Sequence, residues 1–186
     1  MPVEAELTAV LRNPAQVRAA LAGRADPEIT AYADTYYDRP DHSLDAAGYE
    51  LRVRTITMGK TAHTVLTYKQ PSVTDWGAKP EHETTIADAE VLRTIFTGLG
   101  LVELIAFRKD CENYRFTAHG LSLVATVVQI PELDGQTFLE LETMAEPDDL
   151  PAAHRVLQTV LDELGVGAQD LTTESYTDRV AASRRA

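Results

Sequence analysis

The sequence predicts an α+β fold with a mostly antiparallel sheet. Three observations carry this: short segments that alternate apolar and polar residues with period two, turn clusters between them, and a few amphipathic helical segments interleaved singly and late. Strand patterning covers residues 3–11, 33–38, 48–57, 63–70, 80–86, 104–117, 121–130 and 137–143, eight candidates in 186 residues.

The elements follow in order. Val3-Glu4-Ala5-Glu6-Leu7 opens the first strand. Asn13 and Pro14 are the N-cap and first residue of a helix over 14–23, with Val17, Ala20 and Leu21 on one face. Arg39-Pro40-Asp41 ends the second strand, and the third carries Leu51-Arg52-Val53-Arg54. Lys79-Pro80 leads into the fifth. Asp88 then caps a helix bearing Val91, Leu92, Ile95 and Phe96, which stops at Gly98 or Gly100. The long segment 104–117, its partner 121–130 and the turn Glu132-Leu133-Asp134-Gly135 precede the last strand. Pro151 begins a third helix with a stripe of Val156, Leu157, Val160, Leu161 and Leu164, stopped by Gly165, and a weaker helix runs from about Glu174 to the end.

Composition narrows the function. With 44% hydrophobic and 25% charged residues, residues 1–186 suit a single domain, large enough to bury roughly 70% of its unfolded surface. The lone Cys111 excludes a disulfide framework within the chain and a multi-cysteine zinc site, and fits a reducing compartment. No apolar run nears the ~18 residues of a membrane span, and the first ten residues do not resemble a signal peptide, so a cytoplasmic, non-membrane protein is expected. A net charge of −12 argues against nucleic acid as a partner.

The strands are charged on one face. Glu4/Glu6, Glu81/Glu83 and Glu140/Glu142 are carboxylate pairs at i,i+2, and Arg52/Arg54 is a guanidinium pair at the same spacing. A solvated face keeps like charges apart, whereas paired glutamates are stable with a cation between them, such as a divalent metal ion taking oxygen ligands. A sheet curled with its apolar face outward under helices would bring acidic and basic groups into one cavity. That combination suits a metal-bound polyanion.

The ordered set of these segments resembles the CYTH superfamily, the triphosphate tunnel metalloenzymes that include thiamine triphosphatases, inorganic triphosphatases and class IV adenylate cyclases. The residues that carry the resemblance are Glu4-x-Glu6, Asp34-Thr35-Tyr36-Tyr37-Asp38-Arg39-Pro40, Ser43-Leu44, Gly48-Tyr49-Glu50-Leu51-Arg52-Val53-Arg54, Leu66-Thr67-Tyr68-Lys69, Glu81-x-Glu83, Lys109 with Tyr114, Phe138-Leu139-Glu140-Leu141-Glu142 and Ser175-Tyr176. The resemblance implies an eight-stranded antiparallel tunnel with a charged interior and outer amphipathic helices. It implies Glu4, Glu6, Glu140 and Glu142 as leading ligands for Mg²⁺ or Mn²⁺, with Glu81 and Glu83 near them. Arg52, Arg54, Lys69 and Lys109 would bind the triphosphate, with Lys69 and Arg54 in catalytic roles. The implied activity is metal-dependent hydrolysis of a small-molecule triphosphate; cyclisation of ATP and non-catalytic nucleotide or polyphosphate binding are the alternatives, and a homodimer is left open.

The chain departs from the family pattern at Thr8, where a lysine is expected, and at Cys111, where an arginine is expected. Arg108 and Arg115 are placed on the strand face away from Lys109. Ala125-Thr126-Val127-Val128 offers no counterpart to an aspartate that relatives carry. Cys111 is read as structural, facing the cavity, with a depressed pKa if Lys109 is close. His82 is assigned to the opposite face from Glu81 and Glu83; His42, His63, His119 and His154 lack metal-site spacing; Trp76 reads as a packed loop aromatic; and Tyr36, Tyr37 and Tyr49 read as half-buried strand residues.

Overall fold

The computed structural model describes residues 3–185. Eight strands, β1 (Val3–Val10), β2 (Glu28–Asp38), β3 (Glu50–Met58), β4 (Thr61–Lys69), β5 (Glu81–Ile86), β6 (Val102–Ala118), β7 (Leu121–Gln129) and β8 (Thr137–Ala145), form one antiparallel sheet ordered β1-β8-β7-β6-β2-β3-β4-β5. The helices are α1 (Pro14–Ala22), α2 (Ser43–Ala46), α3 (Ala89–Gly98), α4 (Leu150–Glu163) and α5 (Tyr176–Ser183). No helix among the described residues is long and apolar enough to cross a membrane.

The predicted strands are all present. The main difference is β2, which begins at Glu28 rather than at 33, because residues 28–32 pair with residues 109–113 of β6 despite a weak alternation of their own. The helix α2 was not predicted; four residues carry too little periodicity to announce it. Asn13 and Asp88 cap α1 and α3 as expected, accepting hydrogen bonds from Gln16 N and from Glu90 N and Val91 N. The last helix is capped by Ser175, whose hydroxyl accepts from Asp178 N, and it ends at Ser183 with Arg184 and Arg185 in a turn, short of the predicted run to the end; residue 186 lies outside the described residues.

Curling comes from β6. Its 17 residues pair with β2 over Val102–Asn113 and with β7 over Asp110–Ala118, so those two neighbours overlap only along a short stretch and the sheet shears around the long strand. The two edge strands then approach. Glu4 N–H donates to the Lys79 carbonyl and Lys79 N–H donates to the Glu4 carbonyl, both at 3.2 Å, which joins the start of β1 to the residue leading into β5.

The convex face holds the main core. Ala5, Leu7, Leu123, Ala125, Val127, Leu139 and Leu141 pack beneath Leu157, Val160 and Leu161 of α4 and Val17 and Leu21 of α1. Trp76 stacks on His154 at 4.4 Å between ring centroids, pinning its loop to α4. The α3 stripe is only partly used: Phe96 packs with Tyr37 and Val53, but Val91 and Ile95 stay about half exposed at 54% and 50%.

The concave face is divided. Glu, Arg and Lys occupy one part. Tyr36, Phe107, Cys111, Val128 and Phe138 make the other part apolar, and Val180 of α5 packs there with Tyr176 at its edge. The expected charged interior is present over one part of the concave face, and α5 covers the other part because apolar residues share the inward parity with the charged ones.

Replacing Leu157 with alanine removes a fully buried side chain between α4 and the sheet. Urea unfolding of Leu157→Ala is expected to show a loss of about 2–5 kcal/mol. A loss below about 1 kcal/mol would contradict this packing.

Candidate active site

Strand register places the acidic pairs. Glu6 lies directly opposite Glu142 in the β1–β8 ladder, and Thr8 lies opposite Glu140. The same parity turns all four side chains to the concave face while Leu7, Leu139 and Leu141 face the convex core. Glu4, Glu6 and Glu142 each offer an oxygen within 4.8 Å of the others. Thr8 donates to Glu6 Oε1 at 2.9 Å, so the hydroxyl at the unexpected position steadies a carboxylate.

The other predicted glutamates take different places. Glu140 lies 3.3 Å from Lys109 Nζ. Glu81 is paired with Lys69 at 2.9 Å. Glu83 is exposed and accepts from Thr67 Oγ1 at 2.9 Å, away from the three converging carboxylates.

The cations are also distinguishable. Lys69 is ion-paired to Glu4 and Glu81 and lies 3.8 Å from Glu6. Arg54 is held in a two-pronged bond by Asp34, at 2.6 and 2.7 Å, with its guanidinium 4.4 Å from the Tyr32 ring centroid. Arg52 is buried, donates from Nη2 to Thr67 Oγ1 at 3.3 Å, and leaves Nε without an acceptor. Among the described residues no carboxylate stands within ion-pairing distance of Arg52.

The electrostatics follow from this crowding. Burial pushes Glu142 up to about 8, and Glu4, Glu6 and Glu140 add repulsion. Burial likewise raises Glu4 to about 7, with Lys69 opposing and Glu6 and Glu81 assisting. Burial works against ionised Asp34, but Arg54 outweighs it and holds the carboxyl at about 2. Lys69 is desolvated yet held well above its ordinary range by Glu4, Glu6 and Glu81, so in this arrangement it is an ammonium and not a proton acceptor. Lys109 is kept charged in the same way, chiefly by Glu140.

Two expectations need correction. Arg115 shares the face of Lys109: the two are six residues apart in a strand that pairs with β7 in unbroken register, so alternation returns Arg115 to the same side. Cys111 does face the concavity, but burial pushes its thiol up to about 12, with Glu140 adding to the effect and Lys109 only partly opposing it. It is an inert packing residue of the apolar part.

Sequence reasoning assigned no role to Asp34, Tyr176 or Asn113. Asp34 faces Arg54 across the β2–β3 ladder, a pairing that the hairpin register would have supplied. Tyr176 sets its ring over Lys109 Nζ at 4.1 Å from helix α5, a tertiary contact with no local signal. Asn113 bonds Thr30, Thr126 and Tyr32, tying three strands together beside the site.

The family model of the CYTH domain matches the chain over residues 4–176, and the chain belongs to this family. No curated protein matches it. Among solved structures, the PH1819 protein from Pyrococcus horikoshii OT3 is 24% identical, with 97% of this chain and 99% of that one covered and a TM-score of 0.84. A proposed adenylate cyclase from Vibrio parahaemolyticus is 18% identical, covering 97% and 98%, with a TM-score of 0.81. A proposed adenylyl cyclase from Hippeastrum, described as having a dominant triphosphatase activity, is 18% identical, covering 98% and 96%, with a TM-score of 0.64. These likenesses show a shared fold.

The raised carboxyls have a consequence for the metal-free protein. Glu4 and Glu142 hold protons more tightly folded than unfolded, so their contribution favours folding below about pH 4.5 and is withdrawn as pH rises through about 7 and 8. Melting curves recorded with a chelator should therefore show Glu142→Gln more stable than the wild type at about pH 9 and indistinguishable from it at about pH 4. Equal melting temperatures at both pH values would contradict the repulsion.

Proposed function

We propose that the protein is a divalent-metal-dependent phosphohydrolase acting on a triphosphate-containing small molecule, such as a nucleoside or thiamine triphosphate. The observation that carries this reading is Arg52, a buried guanidinium on the concave face with an open Nε and no carboxylate partner. A buried donor of this kind is costly unless it is matched, and phosphate oxygens match its fork. The neighbouring carboxylates leave it to the ligand, because each of the nearer cations already holds one.

The donor set fits Mg²⁺ or Mn²⁺. Glu4, Glu6 and Glu142 supply oxygen alone, which suits hard cations, and their mutual repulsion is the charge that a divalent ion relieves. Bound there, such an ion supplies neutralisation of the charge on phosphate oxygens. The chain does the positioning. Arg52 and Lys109 grip phosphate oxygens. Asp34 fixes the plane of Arg54, which presents its Nη1 to the phosphates, and Lys69 stays protonated to hold a phosphate or orient water. Thr8 keeps Glu6 in its rotamer. Glu140 serves mainly to anchor Lys109, and Glu81 to anchor Lys69, rather than as direct ligands.

The dominant triphosphatase activity described for the Hippeastrum protein supports hydrolysis over cyclisation. The net charge of −12 supports a small molecule, not nucleic acid, as the partner, and the single buried cysteine supports a cytoplasmic location.

The test incubates the protein with ATP, thiamine triphosphate and tripolyphosphate, with and without Mg²⁺ or Mn²⁺, and resolves phosphate, pyrophosphate and cyclic AMP. Metal-dependent release of phosphate is expected. The double variant Glu4→Gln/Glu6→Gln and Arg52→Ala should each lower kcat/KM by about 10²–10³-fold. Cyclic AMP with pyrophosphate would assign the cyclase reaction instead; metal-dependent binding without product would make the protein a binder; neither binding nor product would remove the reading.

A further inference from the structure

Lys69 ends β4 with a nearly buried side chain, 11% exposed, and its ammonium is shared among three carboxylates. It pairs with Glu4, lies 2.9 Å from Glu81 Oε2 and stands 3.8 Å from Glu6 Oε2. Glu4 and Glu6 are two of the three carboxylates whose oxygens converge; Glu142, the third, has no cation within ion-pairing distance among the described residues. The other concave-face cations are committed or set apart: Lys109 to Glu140, Arg54 to Asp34, and Arg52 to Thr67.

We propose that Lys69 is the built-in counter-ion of this acidic cluster, and that a divalent ion and the Lys69 ammonium compete for Glu4 and Glu6. Two like charges within a few ångströms repel, the more so where water is scarce. The lysine has somewhere to go. Glu81 lies directly opposite Lys69 in the β4–β5 ladder, so the ammonium can leave Glu4 and Glu6 while keeping that partner. From there it is free to meet a phosphate. Metal entry thus releases a lysine for the polyanion, and the two ligands are coupled through one side chain rather than through a change of fold. Lys69 is on this account a phosphate-binding residue whose presence weakens the binding of metal alone.

The inference rests on the metal reading of Glu4, Glu6 and Glu142, and the experiment separates the two. Mn²⁺ alone, without any phosphate compound, is titrated calorimetrically into the wild type, Lys69→Met and Lys69→Arg at about pH 8. Lys69→Met is expected to bind Mn²⁺ about tenfold more tightly than the wild type, and Lys69→Arg, which keeps the charge, about as weakly as the wild type. In the metal-loaded state, Lys69→Met should bind tripolyphosphate more weakly than the wild type. Mn²⁺ affinity in Lys69→Met equal to or below that of the wild type overturns the counter-ion role while leaving the metal site standing. No Mn²⁺ binding by any of the three proteins overturns the metal site and this inference together. Lys69→Gln, which retains a polar group for Glu81, replaces Lys69→Met in the same titration if circular dichroism shows the methionine variant to be unfolded, with the same outcomes deciding.

Discussion

Glu6 faces Glu142 across the β1–β8 ladder, and much of the concave face is arranged around that opposition. Like charges placed directly opposite each other in a sheet repel, and a one-residue slip would separate them. The slip is forbidden by the other side of the same strands. Ala5, Leu7, Leu139 and Leu141 are fully or almost fully buried beneath α4, and shifting the register would carry them into the cavity. Hydrophobic packing on the convex face thus enforces electrostatic strain on the concave one. Lys69 relieves part of it, and the remainder adds to burial in raising the Glu4 and Glu142 carboxyls above their ordinary range.

The division of the concave face gives this charged region its boundaries. Toward α5, Phe107, Val128 and Phe138 exclude water and pack with Val180, and Tyr176 stands at the border with its ring against the Lys109 ammonium. A cation over an aromatic face beside an apolar wall keeps its charge aimed away from that wall. The Asn113 network with Thr30, Thr126 and Tyr32 satisfies its own donors and acceptors, so it stiffens the sheet next to the site without offering free polar groups. Binding capacity is concentrated at Arg52 and the acidic cluster, with the Tyr176 hydroxyl, unpartnered among the described residues, at their border.

Much of this was legible in the sequence, for a simple reason: strand parity is a local property. Val3 to Leu7 and Phe138 to Glu142 announce by alternation alone which side chains share a face, and the order of segments announces the family. What was hidden is what depends on register and on contacts between distant elements. Alternation says that Glu81 and Glu140 face inward, but only the pairing of β4 with β5 gives Glu81 to Lys69, and only the curl of the sheet gives Glu140 to Lys109. The apolar part of the interior was missed because Tyr36, Phe107 and Phe138 look like core residues in any strand, and nothing local says that a C-terminal helix will enter the concavity to cover them. Arg115 shows the reverse case: counting along the unbroken strand from Lys109 suffices to place it.

The meeting of β1 and β5 through Glu4 and Lys79 has a consequence of its own. Along the rest of the sheet each neighbour is held by a ladder of many pairs, whereas here two backbone hydrogen bonds join the edges. Such a seam is the part of the sheet that opens at least expense in free energy, so it is where amide exchange and local fraying concentrate. One of its two residues also carries a carboxylate of the acidic cluster. Parting of the edges therefore takes Glu4 away from Glu6 and Glu142 in the same motion. A ligand held by all three would act as a clasp on the barrel, turning the weakest join of the fold into one whose strength depends on occupancy.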